Sequence, residues 1–118
     1  MSNQIDLPDF DDLMDRIQTI GKLSEEKEYI EIEIMVREAD IVRTVTTDKN
    51  YFINDKPPAM NFVEATYKRT GLNGELVEYR QRLANVSARL EVARKSYDLL
   101  KSRIEVWRSI QANERSLT

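Results

Sequence analysis

The stretch ELVEYRQRLANVSARLEVARKSYDLLKSRIEVW, residues 75–107, decides how this chain folds. Within it Leu76, Tyr79, Leu83, Val86, Leu90, Ala93, Tyr97, Leu100, Ile104 and Trp107 follow one another at alternating steps of three and four. That rhythm is the period of a coiled-coil seam, because it keeps one line of side chains facing a partner helix. All ten of these a and d positions are apolar or aromatic. Asn73 or Gly74 is placed to cap the start, and Glu75 falls in the first turn, where the helix dipole favours an acid. No Gly or Pro interrupts the chain after Gly74. The pattern predicts a helix over 75–112, with 113–118 as a polar tail. At about 1.5 Å per residue this helix is ~57 Å long, whereas a compact domain of about 100 residues has a radius of gyration near 13 Å. Such a helix has to lie along another long helix.

The N-terminal part offers one. Asp6 and Pro8 suit a helix start, since proline fits the first helical turn. Phe10, Leu13, Ile17 and Ile20 then follow helical spacing, which fades at Gly21 and resumes with Ile30, Ile34, Ile41 and Val45. A first long helix is therefore expected over about 8–45. Ile30, Ile32 and Ile34 alternate with glutamates in a strand-like manner, but the surrounding Glu, Met, Arg and Ala favour helix over 25–40. Residues 41–54 stay open to a short strand or hairpin, with Asp48, Lys49 and Asn50 as its turn. Asn54 to Pro58 is turn chemistry, and Asn61 is placed to cap a short helix over 61–70. The expected fold is mainly α and a single domain over 1–118. Two long helices form an antiparallel hairpin around an irregular or short β-containing middle segment at 46–74, and assemble into a helical oligomer.

Composition narrows the function. The 118 residues include no Cys and no His, which removes disulfides, thiolate nucleophiles, cysteine zinc sites and the commonest general base. Acidic neighbours such as Asp11 and Asp12 point in different directions on a helix, and no glycine-rich phosphate loop is present. Glu28, Glu31 and Glu38 read as a solvated face rather than a Mg²⁺ site. The chain is expected to be non-enzymatic, without metal or cofactor. It also lacks an apolar run of the roughly 20 residues that cross a bilayer, and its acidic start is unlike a signal peptide, so a cytoplasmic protein without a membrane partner is expected.

Charge is divided along the chain. Residues 1–40 hold 12 acidic and 4 basic side chains, and residues 41–118 hold 9 acidic and 14 basic, so −8 and +5 make the total of −3. Arg80, Arg94, Lys101 and Arg108 fall at e positions beside the seam, and Arg82, Arg89 and Arg103 at g, with Glu75 the single acid among them. Two readings stay open for this basic stripe: pairing with the acidic N-terminal helix, or contact with a phosphate backbone. In the connecting segment Arg43, Lys49, Tyr51, Phe52, Lys56, Tyr67, Lys68 and Arg69 combine cations with aromatics, a composition suited to single-stranded nucleic acid. Val92, Leu99, Val106 and Ile110 form a second apolar line that a two-stranded pairing leaves uncovered, which points to a homo-oligomer.

The two long helices, the Tyr- and Lys-bearing middle, and the run of Lys101, Ser102, Arg103, Ile104, Glu105, Val106 and Trp107 resemble the phage recombination mediator (UvsY-like) proteins. In this chain Arg103 runs directly into Ile104, where that family inserts a Gly-aromatic pair. The resemblance implies a small helical oligomer, located in the host cytoplasm if viral. It would bind single-stranded DNA and help load a recombinase in place of the single-strand-binding protein. The alternative is a coiled-coil adaptor that contacts protein partners alone.

Overall fold

The computed structural model describes residues 10–117. In chain order these form α1 (Phe10–Thr47), a 3₁₀ turn (Lys49–Tyr51), α2 (Met60–Thr66) and α3 (Glu75–Leu117). The proposed helix start at Asp6 and Pro8 lies outside the described residues. Both long helices are present, and α1 packs against α3 in each of two compact units. One unit holds residues 25–87; the other holds the described residues up to 24 together with 88–117.

In the 25–87 unit the buried centre is Ile41 and Val45 of α1, Val63 of α2 and Leu76 of α3. Val42, Tyr51, Tyr67 and Leu72 pack around it. Ile30 and Ile34 are buried a turn or more earlier on α1, while Ile32 between them is exposed. A strand would place all three isoleucines on one side; a helix separates them, since residues four apart share a face. Later residues of α1 meet earlier residues of α3, as where Arg37 lies 4.6 Å from the Tyr79 ring centre, so the two helices run antiparallel here.

In the other unit Leu23, Leu90 and Leu100 are buried, with Leu13, Ile20, Ala93, Tyr97, Ile104 and Trp107 half-buried. Arg16 fastens the two helices in this unit: its Nη1 donates to the Ser96 carbonyl at 2.7 Å, while Asp12 holds Nη2 at 3.0 Å.

The strand or hairpin kept open for 41–54 does not form, and no strand occurs among the described residues. Residues 41–47 are helical despite their β-branched composition. Burial of Ile41 and Val45 outweighs a propensity deficit of at most about 0.7 kcal/mol per residue. The threonine hydroxyls are satisfied inside the helix: Thr44, Thr46 and Thr47 donate to the carbonyls of Asp40, Val42 and Arg43 at 2.9, 2.6 and 2.6 Å. Asp48 then caps the 3₁₀ turn by accepting from the Asn50 amide at 3.0 Å. The chain reverses at Asn54 and Asp55, both with positive φ, closed by one isolated bridge between Ile53 and Lys56. Asn and Asp tolerate that conformation better than other residues with a Cβ.

Three boundaries also differ from expectation. Ala59, not Asn61, precedes α2; Asn61 lies inside it and accepts from the Phe62 amide. Helix α2 ends at Thr66 rather than near 70, and Gly71, at φ +91°, redirects the chain. The expected polar tail is helical to Leu117, because nothing after Ile110 breaks a helix. At the start of α3 the capping acid is Glu75 itself. Its carboxylate accepts from the amides of Leu72 and Asn73 at 3.2 and 2.7 Å, and these bonds, that of Asn73 foremost, hold its pKa below the usual carboxylate range.

Candidate nucleic-acid interface

The connecting segment and its neighbours on α1 and α3 hold the eight residues that composition singled out, all within the 25–87 unit. Several of them are engaged by neighbouring side chains. Tyr51 and Tyr67 meet edge to face at 5.7 Å between ring centres, and Tyr67 meets Phe62 in the same way at 5.9 Å. These two tyrosines are half-buried against the buried centre, and each is engaged edge to face with a neighbouring ring. Phe52 is half-buried. Arg43 is held by Asp40 at 2.6 Å. Lys49, Lys56 and Arg69 are exposed and form no ion pair among the described residues.

Lys68 has a structural task. It lies 3.6 Å from Glu38 and 4.0 Å from Glu64, and Glu38 also receives Arg80 at 3.2 Å. Arg80 further donates to the carbonyls of Lys68 and Arg69 at 2.6 and 2.8 Å. One carboxylate of α1 and one guanidinium of α3 thus secure the end of α2. Around them Glu38, Asn61, Glu64, Ala65, Lys68, Arg69 and Arg80 line an open cavity of ≈ 670 Å³, whose cations are largely answered by its own acids. Glu38, expected on a solvated face with Glu28 and Glu31, is instead mostly covered and engaged by Lys68 and Arg80. Antiparallel pairing of the last acid-rich turns of α1 with the first cation of the e row was the signal for it.

The ten seam residues of α3 are buried or half-buried, Leu76, Val86, Leu90 and Leu100 most completely. Tyr79 lies between two guanidinium groups, Arg37 at 4.6 Å and Arg82 at 5.6 Å. The Arg37 Nε is buried without a hydrogen bond, but the Glu33 carboxylate on its own helix lies 3.6 Å from it, and the face of the Tyr79 ring adds to that compensation of its charge.

The basic stripe beside the seam is only slightly used by α1. Of its seven cations, Arg80 reaches Glu38 and Arg82 pairs with Glu78 on its own helix at 2.9 Å. Arg89, Arg94, Lys101, Arg103 and Arg108 form no ion pair among the described residues. All five are exposed. Arg94, Lys101 and Arg108 stand seven residues apart, about 10.5 Å per step, in one row along α3. Glu91, Asp98 and Glu105 interleave with them, yet residues 88–117 keep seven basic side chains against four acidic.

Among the described residues no group of three or more carboxylates is placed to hold a metal ion, and no helix is long and apolar enough to cross a membrane. Comparison with protein-family models, with curated proteins and with solved structures finds no match to this chain.

Proposed function

We propose that this chain is a non-enzymatic helical assembly protein that binds single-stranded DNA and assists the loading of a recombinase-type partner. The observation that carries the DNA part is the row of exposed cations on α3 that form no ion pair among the described residues. Had α1 neutralised the basic half of the chain, the stripe would have been spent inside the fold; among the described residues the one acid of α1 paired with this stripe is Glu38, which serves Arg80 and also Lys68. Arg94, Lys101 and Arg108 therefore face solvent and suit a phosphate backbone. Lys49, Lys56 and Arg69 in the other unit are further exposed cations that form no ion pair among the described residues. The recombinase part follows the resemblance to recombination mediators.

Fluorescence anisotropy with a labelled single strand tests this. Wild type is expected to bind at low salt and to weaken as salt rises. Replacing Arg94, Lys101 and Arg108 together by Gln is expected to lower the slope of log K against log salt by about 2, at roughly 0.7 per phosphate contact. Absence of binding at low salt, or binding indifferent to salt, refutes the DNA reading. The adaptor reading is favoured by a different observation: Tyr51 and Tyr67 are packed, not displayed. It expects no anisotropy change in any of these mixtures.

A further inference from the structure

Each long helix carries a second apolar line that the described residues leave uncovered. On α1, Tyr29, Ile32, Met35 and Val36 are exposed, at spacings that place them on one face away from the buried Ile30 and Ile34. Glu25 and Glu28 precede them on that face and form no ion pair among the described residues. On α3, Val92, Leu99 and Val106 are 68%, 67% and 51% exposed and recur every seven residues. Between the last two lies a groove of ≈ 290 Å³ lined by Leu99, Ser102, Arg103 and Val106. These stand at i, i+3, i+4 and i+7. That is the four-residue hole that receives one knob from a facing helix in coiled-coil packing. Ser102 keeps the floor of the hole low, and Arg103 on its rim has no acidic partner among the described residues.

We infer that the outward face of α3 over residues 92–106 seats the outward face of α1, residues 29–36, of a second copy. The assignment rests on charge as well as shape. The apolar line of α1 is preceded by acids, and the hole on α3 is edged by an arginine, that form no ion pair among the described residues; Lys95, held by Glu91 of its own helix at 3.2 Å, lies one turn before Leu99. Pairing like with like is worse. Two α3 faces set Lys95 beside Lys95 in parallel, or beside Arg103 when antiparallel about Leu99. Two α1 faces set Glu25 and Glu28 against themselves in parallel, and when antiparallel about Ile32 they set them against Ala39 and Val36, with no cation to answer them. Ile32 or Met35 of one copy supplies the knob for the Leu99 to Val106 hole of the next. The contact joins different surfaces of two identical chains, so each copy keeps one face of each kind, and association proceeds to a ring or an open array instead of stopping at a dimer. This inference rests on the assembly part of the proposed function and is independent of its DNA part.

Light scattering on Ile32→Lys and Leu99→Lys tests it, with circular dichroism to show that both variants stay helical. Both positions are exposed, so the fold does not depend on them. Wild type is expected above the single-chain mass, rising with concentration. Each variant alone is expected at the single-chain mass. Mixed in equal amounts they are expected to form a species of two chains and no larger, since one intact α1 face then meets one intact α3 face while the two altered faces repel. A monomeric wild type overturns the inference. So does either variant keeping the wild-type mass, or a mixture that stays monomeric, which is the outcome for a symmetric contact or for faces that serve another protein. Anisotropy with the single strand, measured on the same samples, reports DNA binding separately, so loss of one reading leaves the other standing or falling on its own measurement.

Discussion

Two leucines on one helix provide the sharpest test of which side of α3 holds the fold together. Leu76 is fully buried against Ile41, Val45 and Val63, whereas Leu99 is 67% exposed. Replacing either by Ala removes the same atoms and trades one strong helix former for another, so propensity nearly cancels. At Leu76 the loss combines the transfer energy of the buried side chain with the cavity left among three neighbours on two other helices. Comparable substitutions cost about 2.7–5 kcal/mol, and ~3 kcal/mol is expected here. That is a large share of a total stability of about 5–15 kcal/mol, and corresponds to a fall in Tm of roughly 10–15 °C. At Leu99 only about a third of the side chain is covered, so the cost stays below ~1 kcal/mol. The assay is urea and thermal unfolding followed by circular dichroism, at a concentration where light scattering gives the single-chain mass, because association would otherwise add to apparent stability. Equal losses for Leu76→Ala and Leu99→Ala would refute the assignment of the seam as the inner face. So would a loss under ~1 kcal/mol at Leu76.

Other expectations follow from the corner around α2. Glu38→Gln removes the one acid shared by Lys68 and Arg80; both pairs are partly exposed, so the loss is about 1 kcal/mol by urea unfolding. The same variant is expected to bind a labelled single strand more tightly at low salt, since a negative charge leaves a cluster of cations. Gly71→Ala meets a left-handed φ of +91° and puts a Cβ 2.6 Å from the Glu75 carboxyl carbon. It is expected to cost ~1–2 kcal/mol in unfolding measurements, because the backbone strain adds to displacement of the capping carboxylate. The pKa of Glu75 is lower folded than unfolded, so its contribution is present above the ordinary glutamate range and lost as pH falls through the lowered value. Glu75→Gln is expected to flatten that part of the stability profile in an acid titration followed by circular dichroism.

The long helices were legible because each rests on one repeated signal. The steps of three and four over 76–107 leave no other structure for α3, and the buried Ile30, Ile34, Ile41 and Val45 give α1 its line. Residues 41–47 were ambiguous for a physical reason. Their local propensity points to strand, and the burial of Ile41 and Val45 that overrides it depends on Val63 and Leu76, distant in sequence. The capping by Glu75 was half legible: an acid in the first turn was expected, its reach back to Leu72 and Asn73 was not, since that needs the turn set by Gly71 and Gly74. The binding residues were the least legible. Composition placed Tyr51, Tyr67 and Lys68 together as display groups, while packing turned the tyrosines inward and gave Lys68 to Glu38. Composition records which chemistry is present, not which groups the fold consumes.

What the fold leaves unspent is arranged by face. On α3 the row Arg94, Lys101 and Arg108 and the line Val92, Leu99 and Val106 are offset by two residues, about 160° apart around the helix axis. A second copy seated on the apolar line therefore leaves the cation row open, and takes up Arg103 at its edge instead. Each added copy would bring a further row of cations to a strand. Binding along single-stranded DNA would then be cooperative through the protein contact, while the affinity of one copy for a short strand would not depend on it. This separates the two roles within one helix. Leu99→Lys should abolish cooperativity on a long strand yet leave binding of one copy to a short strand intact, whereas the triple Gln variant should lose both. If Leu99→Lys instead weakened binding to a short strand, the cation row and the apolar line would not be independent, and the division of α3 into two working faces would fail.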